Sequence, residues 1–191
     1  MTAAPLPILH TQRLLLRPLE MSDAERIQAL ASDPAIAATT STLPHPYHLQ
    51  HAQGWIGGLA PAFADGKEIS LAITCEKVIV GVMSLAGISR KHRRAALGYW
   101  IGVPFWGRGY ATEAARAIIA YGFAELELNR IYGECYSHNL ASERVLQKLG
   151  MRFEGCQREA MRKGDAFIDI LLYALLKSDF PLGAERLVSG G

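Results

Sequence analysis

The sequence predicts an α+β fold: one sheet of about seven strands with about four helices on its faces. Three observations carry this. Strand-like and helix-like stretches follow each other as β-α-α, then a meander of three strands, then α-β-α-β-β, with no repeating βαβ unit. A glycine-containing turn, Trp106-Gly107-Arg108-Gly109-Tyr110-Ala111, joins an apolar strand run to a helix-forming run. The 191 residues are 50% hydrophobic and 20% charged, as suits one domain with its own core.

Taken in order, Arg13–Leu19 reads as the first strand, its leucines followed by Arg17 and Pro18. Ser22 and Glu25 have capping-box spacing, so a helix is expected to start there and to run to Ala31, before Pro34. Ala35–His48, rich in Thr, Ser and Pro, reads as a loop, and Leu49–Ala64 as a second helix. Glu68–Thr74 and Val78–Ile88 form a hairpin about the tight turn Glu76-Lys77. The basic loop Ser89–Arg94 leads to the strand Ala95–Gly102, which feeds the glycine turn and the helix Thr112–Ala124. Arg130–Ser137 is a strand, and Asn139–Leu149 a helix closed by Gly150. Met151–Met161 and Ala166–Leu176 are strands about Lys163-Gly164-Asp165. Residues 1–180 make a single domain and 181–191 a flexible tail, since no linker divides the chain.

A net charge of +2 is too mild to argue for nucleic acid or a membrane surface as partner. Cys75, Cys135 and Cys156 are odd in number, widely spaced and set in apolar runs, as expected of buried thiols in a reducing compartment. With no CxxC pair, and with His45, His48 and His51 spread through a proline-containing loop, no metal is expected. No basic segment followed by an apolar one opens the chain, and the longest uncharged apolar stretch falls short of the ~20 residues that span a bilayer. The expectation is a cytoplasmic protein, monomer or homodimer.

A strand that ends in a glycine turn and opens a helix aims bare N–H groups outward, an arrangement suited to phosphate. The Walker pattern is absent, and the dinucleotide fingerprint lacks its third glycine, where Thr112 stands. On spacing alone the turn is either a phosphate site or a plain strand-to-helix connection.

A second motif narrows the choice. Asn139-Leu140-Ala141-Ser142 opens a helix that ends in Lys148-Leu149-Gly150-Met151, one helix and one strand after the glycine turn. The chain also opens with Thr11-Gln12-Arg13-Leu14-Leu15-Leu16-Arg17 and closes its last strand with Asp169-Ile170-Leu171-Leu172-Tyr173. Together these resemble the GCN5-related N-acetyltransferases, most closely the branch that acetylates ribosomal-protein N-termini. The resemblance implies a mixed, mostly antiparallel sheet whose strands splay at a coenzyme A site. It implies acetyl-CoA as co-substrate, its pyrophosphate held by Gly107, Arg108, Gly109, Tyr110, Ala111 and Thr112. Its pantetheine arm would bond to backbone groups at Ile101, Gly102 and Val103, with Asn139 and Ser142 touching the arm. Gly109 and Ala111 match the family pattern; Trp106 stands where Gln or Arg is usual.

Acyl transfer to an amine needs a neutral nucleophile, a donor to the tetrahedral oxygen, and a proton for the departing thiolate. An α-amino group, of pKa roughly 7.7–8.0, is easier to deprotonate than a lysine. Where many relatives carry a tyrosine acid this chain has Leu146, and the resemblance gives that role to Ser142, with Asn139 holding the turn. Both also suit a plain helix start. The resemblance implies a glutamate base on the strand Met151–Met161, where Glu159 is the nearest acid, with Glu134 and Glu68 as rivals; Ala96 replaces a glutamate frequent in relatives. Trp55, Tyr99 and Trp100 either line an acceptor pocket or belong to the core. Arg90-Lys91-His92-Arg93-Arg94 is either a site for RNA or the CoA 3′-phosphate or, as the absence of interleaved aromatics favours, a solvated hairpin loop. The expected activity is N-acetylation of a protein N-terminus; the alternatives are a small-molecule amine acceptor or a non-catalytic acyl-CoA-binding module.

Overall fold

The computed structural model describes residues 5–181, so the expected tail lies, from 182 onward, outside the described residues. Eight strands are present among the described residues: β1 (Leu9–His10), β2 (Leu14–Pro18), β3 (Ile69–Cys75), β4 (Val78–Ser89), β5 (Arg94–Ile101), β6 (Arg130–Tyr136), β7 (Arg152–Lys163) and β8 (Ala166–Leu176). The helices are α1 (Ala24–Ala31), α2 (Pro34–Thr39), α3 (Leu49–Ala64), α4 (Tyr110–Ala124) and α5 (Leu140–Lys148). All strands join one sheet in the order β1-β2-β3-β4-β5-β6-β8-β7, antiparallel throughout except for the parallel pair β5–β6.

Two apolar clusters cover the sheet. The larger joins Ile69, Leu71 and Ile73 of β3 to Ile118, Ile119 and Phe123 of α4 and to Leu146 of α5. The smaller joins Ala72, Ile79 and Val82 to Ile27 of α1 and Ile56 of α3. β3 is therefore buried on both faces from Ile69 to Thr74, which is why its sequence alternates so weakly.

Three elements differ from expectation. Ser22 does not cap the first helix: its hydroxyl donates to the Glu20 carboxylate at 3.4 Å. Asp23 does the local work, accepting from the Glu20 N–H at 2.9 Å and gripping the Arg17 guanidinium at 2.7 and 2.8 Å. The segment read as a loop after Pro34 begins with α2, whose Asp33 carboxylate accepts from the Ala35 N–H at 2.9 Å. Asp followed by Pro is an N-cap with Pro at the first helical position, a signal outweighed in the sequence by the Thr- and Pro-rich residues beyond it. β1, two residues long, adds an edge to β2.

Two packing details place the site. β5 pairs with β6 only from Arg94–Leu97 to Arg130–Gly133; beyond that β5 continues along β4 and β6 along β8, so the two strands splay. α5 then lies close against β6: a Cβ on Gly133 would sit 2.6 Å from Leu146 Cδ2, so any larger residue there would make the Leu146 side chain shift. The end of α2 is tied across the splay, since the Thr40 carbonyl accepts from the Tyr136 hydroxyl at 3.1 Å and from Lys163 Nζ at 2.7 Å.

Candidate active site

The glycine turn has the geometry that an anion site requires. Gly107 and Gly109 take φ values of +74° and +78°, which glycine alone adopts freely. The first bond of α4 runs from the Glu113 N–H to the Gly109 carbonyl at 3.1 Å, so the amides ahead of it have no helical partner. The turn is exposed from Gly107 to Gly109. Its helix is moored to the chain's opening motif. The Glu113 carboxylate accepts from the Thr11 hydroxyl at 2.6 Å, the Arg13 N–H at 2.8 Å and Arg13 Nε at 2.7 Å. Arg13 in turn lies over the Tyr110 ring at 4.9 Å, beside the turn. Trp106 has a job of its own: its indole N–H donates to the Ile101 carbonyl at 2.5 Å and closes the end of β5.

The splay leaves backbone groups facing a gap. The Gly102 N–H points to β4, bonding Val80 O at 2.8 Å. Strand alternation then turns the backbone groups of Tyr99 and the N–H of Ile101 the other way, toward the side that β6 has left, the Ile101 carbonyl being held by Trp106. Two cavities open here. One, of about 340 Å³, runs from the glycine turn along the start of α5, past Asn139 and Ser142. The other, of about 710 Å³, lies on the far side and is lined by Glu68, Glu134, His51, Trp55 and Tyr132 among others. They share five lining residues: Thr39, Thr40, Tyr99, Trp100 and Ser142.

Of the residues expected at the donor site, Ile101, the run Gly107–Thr112, Asn139 and Ser142 come together around the first cavity. Gly102 and Val103, expected here too, do not line it: a Cβ on Gly102 would meet Leu30, and Val103 opens a short turn. The Asn139 side chain caps α5, accepting from the Ser142 N–H at 3.1 Å, and its amide reaches the Thr39 carbonyl at 3.5 Å. The Ser142 hydroxyl is thus free of the capping role and pairs with the Tyr99 hydroxyl at 2.8 Å. Leu146 is 1% exposed and belongs to the core. Glu159 lines neither cavity; it sits in an irregular stretch of β7 at φ +52°, its N–H bonded to the Asp169 carboxylate at 2.8 Å. The carboxylates that do line the second cavity are Glu68, which accepts from Ser70 Oγ at 2.7 Å, and Glu134. Thr39 and Thr40 at the junction were missed because α2 was. Trp55, Tyr99 and Trp100 all line the second cavity.

The thiols differ from one another. Cys135 is buried, and burial followed by the charge of Glu143 pushes its pKa up to about 11. Cys156, expected in the interior, is exposed on β7, and Cys75 is half-buried with Sγ 3.4 Å from the Tyr110 hydroxyl. Among the described residues, no group of three or more His, Cys, Asp or Glu could hold a metal ion. No described helix is long and apolar enough to cross a membrane.

Residues 13–152 match the family described as the acetyltransferase (GNAT) domain. The chain belongs to this family. A Bacillus subtilis protein named as an uncharacterized N-acetyltransferase, YoaA, is 32% identical over 173 residues, covering 90% of this chain and 97% of its own. The ribosomal-protein-serine acetyltransferase of Escherichia coli is 32% identical over 99 residues, 52% of this chain and 55% of its own. The ribosomal L7/L12 α-N-protein acetyltransferase RimL, solved with coenzyme A, superimposes with a TM-score of 0.84 at 20% identity, covering 89% of this chain and 98% of its own. The GNAT fold accounts for the splayed parallel pair, and the chain is an N-acetyltransferase of this family.

Proposed function

We propose that the chain transfers the acetyl group of acetyl-CoA to the α-amino group of a protein N-terminus, by direct attack with both substrates bound, in the cytoplasm. The observation that carries this reading is the meeting of two unlike cavities at Tyr99 and Ser142. The first offers unpartnered amides of a helix start to a pyrophosphate, and the gap-facing groups of Tyr99 and N–H of Ile101 to an amide-bearing arm. The second offers the carboxylates of Glu68 and Glu134 to an ammonium group. One of these takes the first proton, directly or through one water, and frees the amine to attack. An N–H of the splayed end of β5 faces the forming tetrahedral oxygen. The α-amine is the favoured acceptor because it ionises near neutral pH, so a carboxylate need supply little driving force. A second cavity about twice the volume of the first also has room for more than one residue of a peptide. The resemblance to the ribosomal-protein enzymes supports the same acceptor class.

The test is thiol release from acetyl-CoA with a panel of N-terminal peptides, polyamines and free amino acids. Faster turnover with peptides, and acetylation mapped to the α-amine by mass spectrometry, supports the proposal. Turnover confined to small amines would replace the acceptor, and no turnover with CoA bound would make the chain a binding module.

A further inference from the structure

The two hydroxyls at the cavity junction are not adjacent in sequence. Tyr99 comes from β5 and Ser142 from the first turn of α5, 43 positions apart, and their oxygens lie 2.8 Å from each other. Each lines both cavities. The Asn139 side chain caps the helix, so Ser142 is not needed there, and Leu146 has withdrawn into the core.

We propose that Tyr99 and Ser142 form a proton relay from the attacking amine to the departing thiolate, with Tyr99 as its amine-side member. The proposal rests on the acyl-transfer reading above. The balance is as follows. The ammonium group arrives with three N–H bonds and loses one proton to the carboxylate side. The neutral amine then attacks the thioester carbon; a C–N bond forms and the nitrogen becomes positive, still carrying one proton too many. As the C–S bond breaks, that proton passes to the Tyr99 oxygen, the Tyr99 proton passes to the Ser142 oxygen, and the Ser142 proton passes to sulfur. The amide and the free thiol are the products, and both hydroxyls end as they began.

Two features favour a relay over a lone acid. Burial pushes the Tyr99 phenol well above its ordinary pKa, with the Ser142 bond opposing and Cys135 adding to the shift. A hydroxyl so reluctant to ionise cannot release a proton and wait; it releases one as it receives one. A serine hydroxyl, less acidic still, is under the same constraint. The second feature is the competing partner of Tyr99. Its hydroxyl can also donate to the Ser142 backbone carbonyl, at 3.3 Å, so the phenol stays within reach of α5 when the Ser142 hydroxyl turns toward the donor cavity.

The experiment compares wild type with Tyr99→Phe, Ser142→Ala and the double variant, measuring kcat, KM for both substrates, acetyl-CoA affinity by calorimetry, and melting temperature. Positioned proton donors contribute roughly 10²–10⁴-fold, and the thiol is a fair leaving group, so each single variant should lose about ten- to a hundredfold in kcat. Acetyl-CoA affinity should hold within about threefold. The double variant should be no slower than the slower single one, because members of one relay fail together. A structural role would instead lower the melting temperature, move KM, and give losses that multiply. If Tyr99→Phe melts early, Ser142→Thr carries the test: it keeps a hydroxyl and should hold kcat within about threefold while Ser142→Ala loses it. A folded Tyr99→Phe with wild-type kcat, multiplying losses, or a Ser142→Thr as slow as Ser142→Ala would overturn the relay alone. A wild-type protein that acetylates no amine would overturn the acyl-transfer reading and the relay with it.

Discussion

Gly109→Asp separates the phosphate site from a plain turn. Gly109 sits at φ +78°, and a Cβ there would meet only Arg13 Nη2, at an ordinary 3.6 Å. The cost to the fold is that of a left-handed residue, about 1 kcal/mol for Asp, which tolerates the region. That corresponds to a melting shift of roughly 2–4 °C in a domain of this size. The cost to binding is larger. A carboxylate ~5 Å from a phosphate charge, at an effective dielectric of about 20, is repelled by about 3 kcal/mol. Salt and the neighbouring Arg13 reduce this to about 2–3 kcal/mol, or roughly a 30- to 150-fold rise in the Kd for acetyl-CoA. Gly109→Ala carries the backbone strain without the charge and should stay within about fivefold of wild type. Calorimetry on both variants, each checked for folding, decides the matter. A folded Gly109→Asp that binds acetyl-CoA within threefold of wild type would refute the assignment of the turn.

Other outcomes follow from neighbouring contacts. Burial pushes Glu113 toward a higher pKa, but the Thr11 hydroxyl and the amide and guanidinium of Arg13 outweigh it and hold the folded value below 4.5. The stability it contributes is complete above that ordinary value and lost as pH falls through the lower folded one. With Arg13 half-exposed, Glu113→Gln should cost about 1–2 kcal/mol at pH 7, and the melting difference from wild type should shrink toward pH 3. Of Glu134→Gln and Glu68→Gln, the one that removes the base should lower kcat/KM for the amine by roughly a hundredfold while sparing acetyl-CoA affinity; two wild-type rates would exclude both. Because burial keeps the Cys135 thiol protonated, mass spectrometry of enzyme with acetyl-CoA alone should show no stable adduct, and an acetyl-cysteine that an amine discharges would contradict direct attack.

What the sequence revealed and what it hid follow from the range of the interactions involved. The glycine turn was legible because its geometry is local: two positive-φ glycines, a strand behind and a helix ahead. So was the Asn139 cap, which reaches only three residues along to Ser142. The tight turn at Glu76-Lys77 was placed by its flanking apolar runs, although both residues take positive φ without being glycine. The Tyr99–Ser142 pair was not legible as a pair, since nothing short of the β5–β6 splay brings position 99 to position 142. Glu159 was chosen for its strand, and register decided otherwise: β7 shifts between Gln157 and Met161, where Glu159 bonds Asp169 rather than facing a cavity. Glu68, just before β3, and Glu134 of β6 lie on opposite sides of the splay and share a cavity only once the sheet is assembled. α2 escaped notice because six residues are too few to show a helical period, and with it went Thr39 and Thr40 at the junction.

The central claim is that acetyl-CoA in one cavity meets an amine in the other. Initial rates of thiol release, measured over a grid of acetyl-CoA and N-terminal peptide concentrations, test it most directly. Intersecting double-reciprocal lines, with CoA and N-acetyl peptide formed one to one, are the predicted result. Parallel lines, or thiol release indifferent to the peptide, would contradict it.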